Sequence, residues 1–246
     1  MRYKITLEYD GSYFSGWQYQ KDQKTVQGLL EKVCNKITKT SQRIIVYGSG
    51  RTDAGVHAFG QVAHVDLDIN LNNQKIKNAL NGNLPWYCRV LDVNNVRTDF
   101  NARFDATSRE YFYQCYTGKS ILFCNQSWLI KKLDIKFLNK LAENFTGKID
   151  FLSFSKFRKG LKNTECFIFN AFWKKKGQMY TFHIQANRFL HHMIRYIVGS
   201  MIGVYEKRMS KKDFLLLIKE PRKEVKIFKA PSQGLFLNKV NYEKIF

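Results

Sequence analysis

Proline is scarce in this chain, with 3 among 246 residues. Proline-rich polar segments stay disordered because they cannot bury enough apolar surface; with 44% hydrophobic and 15% aromatic residues, this sequence reads as globular. Cysteine is sparse too. Cys34, Cys88, Cys115, Cys124 and Cys166 are odd in number and far apart with no C-x-x-C pair. That pattern suggests neither a disulfide framework nor a thiolate zinc site, and points to reduced, mostly buried thiols. No apolar run approaches the roughly 18 residues of a membrane span. The start, MRYKITLEYDG, alternates like a strand and lacks the charged and apolar regions of a signal peptide. The expectation is a cytoplasmic protein without a membrane partner.

Negative charge is the other shortage. Against 41 Lys and Arg stand 20 Asp and Glu, a net +21. The imbalance is uneven: residues 1–100 carry 13 basic and 9 acidic side chains, leaving 28 and 11 for residues 101–246. Spare cations on this scale suit phosphates, so nucleic acid is the favoured partner over a merely solvated surface.

The length allows one large domain or two of about 120 residues, and the patterns favour two. Tyr3, Ile5, Leu7 and Tyr9 alternate with Lys4, Thr6 and Glu8 as a strand ending at Asp10-Gly11. Thr25 caps a helix with Val26, Leu29, Leu30, Val33 and Ile37 on one face. RIIVYGSG reads as a second strand, and Ala63, Val65, Leu67 and Ile69 mark a third, half exposed to water. A polar helix, NNQKIKNALN, and a strand in NLPWYCRVLDV follow. Strand, helix, strand, strand, helix, strand is the order of a split βαβ unit on an antiparallel sheet. A similar order then restarts: a strand in SREYFYQCYTG, a helix near 134–145, a hairpin around Lys174–Gly177, a long helix over 188–205, and a last helix capped by Ser210 with Asp213. The expected division is 1–103 and 104–246, two α+β halves of which the second is strongly basic.

Chemistry concentrates in YGSGRTDAGVHAFGQVAHVD, residues 47–66. Gly48, Gly50 and Gly55 let the chain take conformations closed to other residues and let a ligand approach the backbone. The run is neither a P-loop nor a dinucleotide fingerprint. Asp53 at its centre is either a turn aspartate or a working carboxylate. Arg51 could pair with it, hold a phosphate, or form an ordinary loop ion pair. His191 and His192 suggest metal ligands, but on a helix adjacent residues point in different directions, and His57 and His64 fix no common site; no metal is expected. Arg195 lies beside the apolar stripe of the long helix, available to a carboxylate, an RNA phosphate or solvent. Tyr111 shares one strand face with Tyr113 and Cys115, where an aromatic ring either packs the core or stacks on a base.

GRTDAGVHAFGQVAH resembles the signature of the tRNA pseudouridine synthase A family. EYDGSYFSGWQYQKDQKTVQGLLE, FNARFDATSREYFY, DFLSF, ANRFLHHMIRYIVGSMIGV and APSQGLFL resemble its other motifs, in order and over nearly the whole chain. The resemblance implies an α+β fold of two similar halves, with antiparallel sheets joined into one continuous sheet flanked by helices. It implies a homodimer that binds tRNA and isomerises uridines of the anticodon stem-loop, positions 38–40, without cofactor or metal. It implies that Asp53 is the catalytic aspartate, that Tyr111 stacks on the target uracil, that Arg195 pairs with the aspartate, and that Arg51 helps flip out the nucleotide. Ser49 departs from the family's usual alanine, and 115–133 is the least family-like stretch.

Overall fold

In the computed structural model, which describes residues 1–156, 163–223 and 225–242, the alternating start of the chain is strand β1 (Arg2–Tyr9), with Tyr3, Ile5, Leu7 and Tyr9 buried. Helix α1 (Val26–Thr38) begins at Thr25, whose hydroxyl accepts the Gly28 N–H at 3.2 Å, and buries Val26, Leu30, Val33 and Cys34. Then come β2 (Tyr47–Gly48), β3 (His57–Asp66), α2 (Asn73–Asn81) and β4 (Cys88–Asn95). These belong to one contact unit, Met1–Thr107, which the chain from Phe236 rejoins through most of strand β10 (Leu235–Asn241). Its sheet runs β4-β1-β3-β10, with β2 also on β3.

The second unit, Ser108–Leu235, is built on β5 (Ser108–Tyr116), β6 (Trp128–Leu129), α3 (Ile135–Ala142), β7 (Gly147–Asp150), β8 (Glu165–Lys176), β9 (Met179–Ala186), α4 (Met193–Tyr205) and α5 (Lys211–Lys219). Its sheet order is β5-β9-β8-β7, with β6 on β5. The hairpin at 174–177 is the turn between β8 and β9, and Ser210 caps α5, accepting the Asp213 N–H at 3.0 Å. A cluster of Phe145, Phe151, Phe154 and Phe214, all fully buried, packs α5 on the segments after α3 and β7.

Several expectations need correction. The sheets are α+β as expected but mixed: β10 pairs with β3 in parallel, Phe236 opposite His57, and β6 with β5 in parallel. The C-terminal strand sits in the first unit, and the units divide at 107/108 instead of 103/104. RIIVYGSG is a strand only at Tyr47–Gly48, because the Ile44 and Val46 amides donate to the side chains of Asn35 and Glu31 on α1, not to a neighbouring strand. β3 is not half exposed. It lies between β1 and β10 in its sheet and is buried on both faces along Gly60–Val65. The long helix starts at Met193, not 188, since His192 adopts φ 64°, a left-handed conformation that an α-helix cannot contain. All five cysteines are free thiols, four of them buried and Cys124 exposed. Among the described residues no helix is long and apolar enough to cross a membrane.

The buried position of His64 has a measurable consequence. Its Nδ1 accepts the Ala102 N–H at 3.1 Å, and burial, aided by the charge of Arg2, holds the ring's pKa below the ordinary 6.5. The unfolded chain takes up a proton as pH falls through 6.5, whereas the folded chain does so only at lower pH. His64 therefore leaves stability intact above 6.5 and removes it as pH falls below; His183, lowered by burial and Lys174, acts in the same direction. The thermal midpoint should fall between about pH 7.5 and about pH 5.5. His64→Asn, which keeps an acceptor for the Ala102 amide, should show a smaller fall in the same titration.

Candidate active site

In the first unit, the loop after β2 is held by contacts made mostly through backbone. The segment 10–17 lies against it so closely that a Cβ on Gly11 would stand 2.1 Å from the Val56 carbonyl oxygen. A Cβ on Gly16, which has φ +97°, would stand 2.9 Å from the Thr52 carbonyl oxygen. The Trp17 N–H donates to that same Thr52 oxygen at 3.0 Å, and the Gly11 N–H to His57 Nδ1 at 3.1 Å. From below, the Tyr9 hydroxyl is hydrogen-bonded to Thr52 Oγ1 at 2.8 Å. Gln61, fully buried on β3, donates to the Gly50 carbonyl at 3.0 Å and accepts the Ser49 hydroxyl at 2.8 Å. Ser49, the departure from the family pattern, thus has a buried partner for its hydroxyl.

Asp53 sits at the tip of this scaffold. Its carbonyl accepts the Val56 N–H at 3.1 Å, with Gly55 at φ +78° two positions on, the pattern of a type II turn. The turn closes through main chain, so its shape does not depend on the Asp53 carboxylate. Asp53 is half-buried and Arg51 exposed.

The second unit carries Tyr111 and Arg195. On β5, Ser108, Tyr113 and Cys115 are buried while Tyr111 is only partly so. The aromatic face therefore emerges from the core at Tyr111, whose ring meets Phe189 edge-on at 5.1 Å. Arg195 differs from the side chain expected beside the packed face. It is 9% exposed, with its Nε donating to the Ala230 carbonyl at 2.8 Å while the Ala230 N–H returns to the Arg195 carbonyl at 3.0 Å. Tyr113, next on the face of Tyr111, donates to the adjoining Pro231 carbonyl at 2.8 Å, and burial raises its phenol pKa far above the ordinary value. Ala230 and Pro231 thus tie α4 to β5. The approach demands Gly199, where a Cβ would stand 2.0 Å from the Phe228 carbonyl oxygen. His191 and His192 precede α4 and do not splay around it; their rings stack at 3.8 Å.

Sequence reasoning missed the roles of Tyr9, Thr52, Gln61, Ala230 and Pro231. Tyr9 was legible as a buried strand residue, but its hydroxyl partner lies 43 positions away. APSQGLFL stood out as a motif, yet what it supplies is two backbone carbonyls, which no residue type announces.

A family model described as tRNA pseudouridine synthase matches residues 5–105 and 141–243. Tyr111 and the whole 115–133 stretch fall in the unmatched interval, 106–140. The chain is 39% identical over 248 residues to the tRNA pseudouridine synthase A of Ehrlichia chaffeensis, covering 98% of this chain and 100% of that one. It is 38% identical to that of Methylacidiphilum infernorum, over 98% of this chain and 95% of the other. With that of Geobacillus kaustophilus it shares 34%, again over 98% and 95%.

The loop's dependence on close backbone packing is open to test. Gly11→Ala forces a methyl group against main chain that has no rotamer to give, and overpacking of this kind costs about 1–3 kcal/mol. Chemical denaturation should show that loss, and amide exchange at Val56 and His57 should accelerate. Unchanged exchange would mean that the loop is not held where these contacts place it.

Proposed function

We propose, since the chain belongs to the tRNA pseudouridine synthase family, that it isomerises uridine to pseudouridine in the anticodon stem-loop of tRNA, at positions 38–40, with Asp53 as its catalytic carboxylate. The family makes the protein an RNA-uridine isomerase; the target positions and the residue roles are our reading. The reaction breaks the N1–C1′ bond of a uridine, turns the base and rejoins it through C5. Redox and phosphoryl transfer are absent from this change, so a carboxylate suffices and the chemistry requires no cofactor or metal. Attack on C1′, addition to C6 and removal of a sugar proton all call for one ionised carboxylate held at a fixed point.

The observation that supports this role is the half-buried Asp53 on a turn that closes without its side chain, braced by Tyr9, Gln61 and the 10–17 segment. Such a scaffold fixes the reacting group before substrate arrives. Arg195, buried with its Nε on the Ala230 carbonyl, is assigned as the basic partner of that carboxylate. Tyr111, where the aromatic face of β5 emerges, is assigned to stack on the target uracil. An enzyme cannot reach these atoms inside a base stack, so the nucleotide must be flipped out at a cost of a few kcal/mol. The exposed Arg51 is assigned to that step. The excess of 41 basic over 20 acidic side chains suits a polyanion of tRNA size. A cytoplasmic homodimer completes the reading.

Asp53→Asn keeps the size of the side chain and the turn, and removes the charge. Pseudouridine formed on a tRNA transcript should drop by at least about 10³-fold, with tRNA affinity within about twofold of the unaltered protein. Equal product from the variant would sink the role of Asp53. Mapping of modified positions on whole tRNA checks the target, and shortened RNA in place of isomerised base would reject the reaction.

A further inference from the structure

Outside the loop, Tyr13, Trp86 and Tyr87 form a cluster of rings at the surface of the first unit. Tyr13 and Tyr87 stack face to face at 4.4 Å, 9° from parallel. Trp86 stands edge-on to both, at 5.1 Å from Tyr13 and 5.5 Å from Tyr87. Trp86 is 80% exposed and Tyr13 39%. Lys24 places its ammonium over the Tyr87 ring at 4.2 Å. Isolated exposed apolar side chains are ordinary, but three rings locked to one another with a cation across them are not.

The cluster is also rigidly tied to the catalytic loop. Tyr87 accepts the Asp10 N–H through its carbonyl at 2.9 Å, and Asp10 precedes the glycine that packs on Val56. Lys24 accepts the Ser15 N–H at 2.8 Å, so both sides of the cluster are fastened to the 10–17 segment. The Cys88 N–H donates to the Pro85 carbonyl at 3.0 Å, closing the turn that presents Trp86.

We infer that Tyr13, Trp86, Tyr87 and Lys24 form a stacking platform for an unpaired tRNA nucleobase other than the target uridine, with Trp86 as the ring that takes the base. This rests on the tRNA reading above. A preordered ring loses little entropy on binding. Every base has a π-face for it, and an adjacent lysine offers a counter-charge for the backbone phosphate. The platform would set where the RNA lies relative to Asp53 without entering the chemistry. Acidic neighbours do not oppose it strongly: Asp10 Oδ1 is engaged by the Ser12 amide and hydroxyl, and Asp22 is exposed.

The test uses the full chain with Trp86→Ala, Trp86→Phe and Lys24→Gln, and measures tRNA affinity, tryptophan fluorescence and pseudouridine yield. Trp17 and Trp173 are each 3% exposed and Trp128 is half-buried, so the share of Trp86 in quenching by a single-stranded oligoribonucleotide is read as the difference between the unaltered protein and Trp86→Phe, and that difference should be the larger part. Trp86→Ala should weaken tRNA binding about 5- to 100-fold with the salt dependence unchanged, while Trp86→Phe retains most of the affinity. Lys24→Gln should instead reduce the salt slope by about one. An unchanged affinity in Trp86→Ala, with the unaltered protein making pseudouridine, would overturn the platform and leave the enzyme reading intact. Weaker binding by the variant in a protein that makes no pseudouridine would do the reverse. A change in oligomeric state without a change in tRNA affinity would assign the surface to protein contact and overturn the proposal.

Discussion

Where segment 10–17 meets the loop around Asp53, two stretches of main chain approach to a distance that a side chain would forbid. Gly11 against Val56 and Gly16 against Thr52 leave no room for a Cβ. The Trp17 amide uses that proximity to reach the Thr52 carbonyl. A side-chain contact can be loosened by a rotamer change, but main chain packed on main chain moves only if the segment moves. The position of Asp53 is therefore inherited from β1, which leads into segment 10–17, and from β3, which follows the loop. Tyr9 at the end of β1 and Gln61 within β3 carry that inheritance as hydrogen bonds to Thr52 and Gly50.

The fold was legible where one physical requirement acts alone. Alternation along β1 shows because each inward residue meets a core, and Thr25 shows as a cap because the first amides of a helix need an acceptor. Legibility failed where a second requirement competed. RIIV has the composition of a strand, but Glu31 and Asn35 on α1 capture its amides first. His64 looks like an outward residue of a half-exposed strand, yet β3 lies between β1 and β10, and the buried ring accepts the Ala102 amide. The apolar spacing of Leu190 continues into α4, but the left-handed His192 interrupts it, and nothing in a hydrophobic period encodes φ.

At the site, residue types were easier to read than their surroundings. An aspartate among glycines draws notice, although the same residues also build ordinary turns, as Asp53 and Gly55 do here. Arg195 was legible as a charge on a helix, but not as a buried charge, since its burial depends on Gly199 admitting the 228–231 segment against α4. A buried arginine is costly unless its donors are met, and the Ala230 carbonyl meets one of them. Tyr113 donating to the neighbouring Pro231 carbonyl fixes that segment from the β5 side. One short stretch of main chain thereby sets both the helix that carries Arg195 and the strand that carries Tyr111.

The loop around Asp53 is set by the close approach of main chain more than by the reactivity of its side chains. Across GSGRTDAG, EYDGSYFSGW and IVGSMIG, Gly11, Gly16 and Gly199 each stand where a methyl group would collide with a carbonyl. Substitutions elsewhere in these motifs meet side chains that can adjust, as Ser49 does by donating to Gln61. Positions that admit backbone against backbone have no such latitude. Gly11 and Gly16 in this way fix the turn that carries Asp53, and Gly199 admits the segment that meets Arg195.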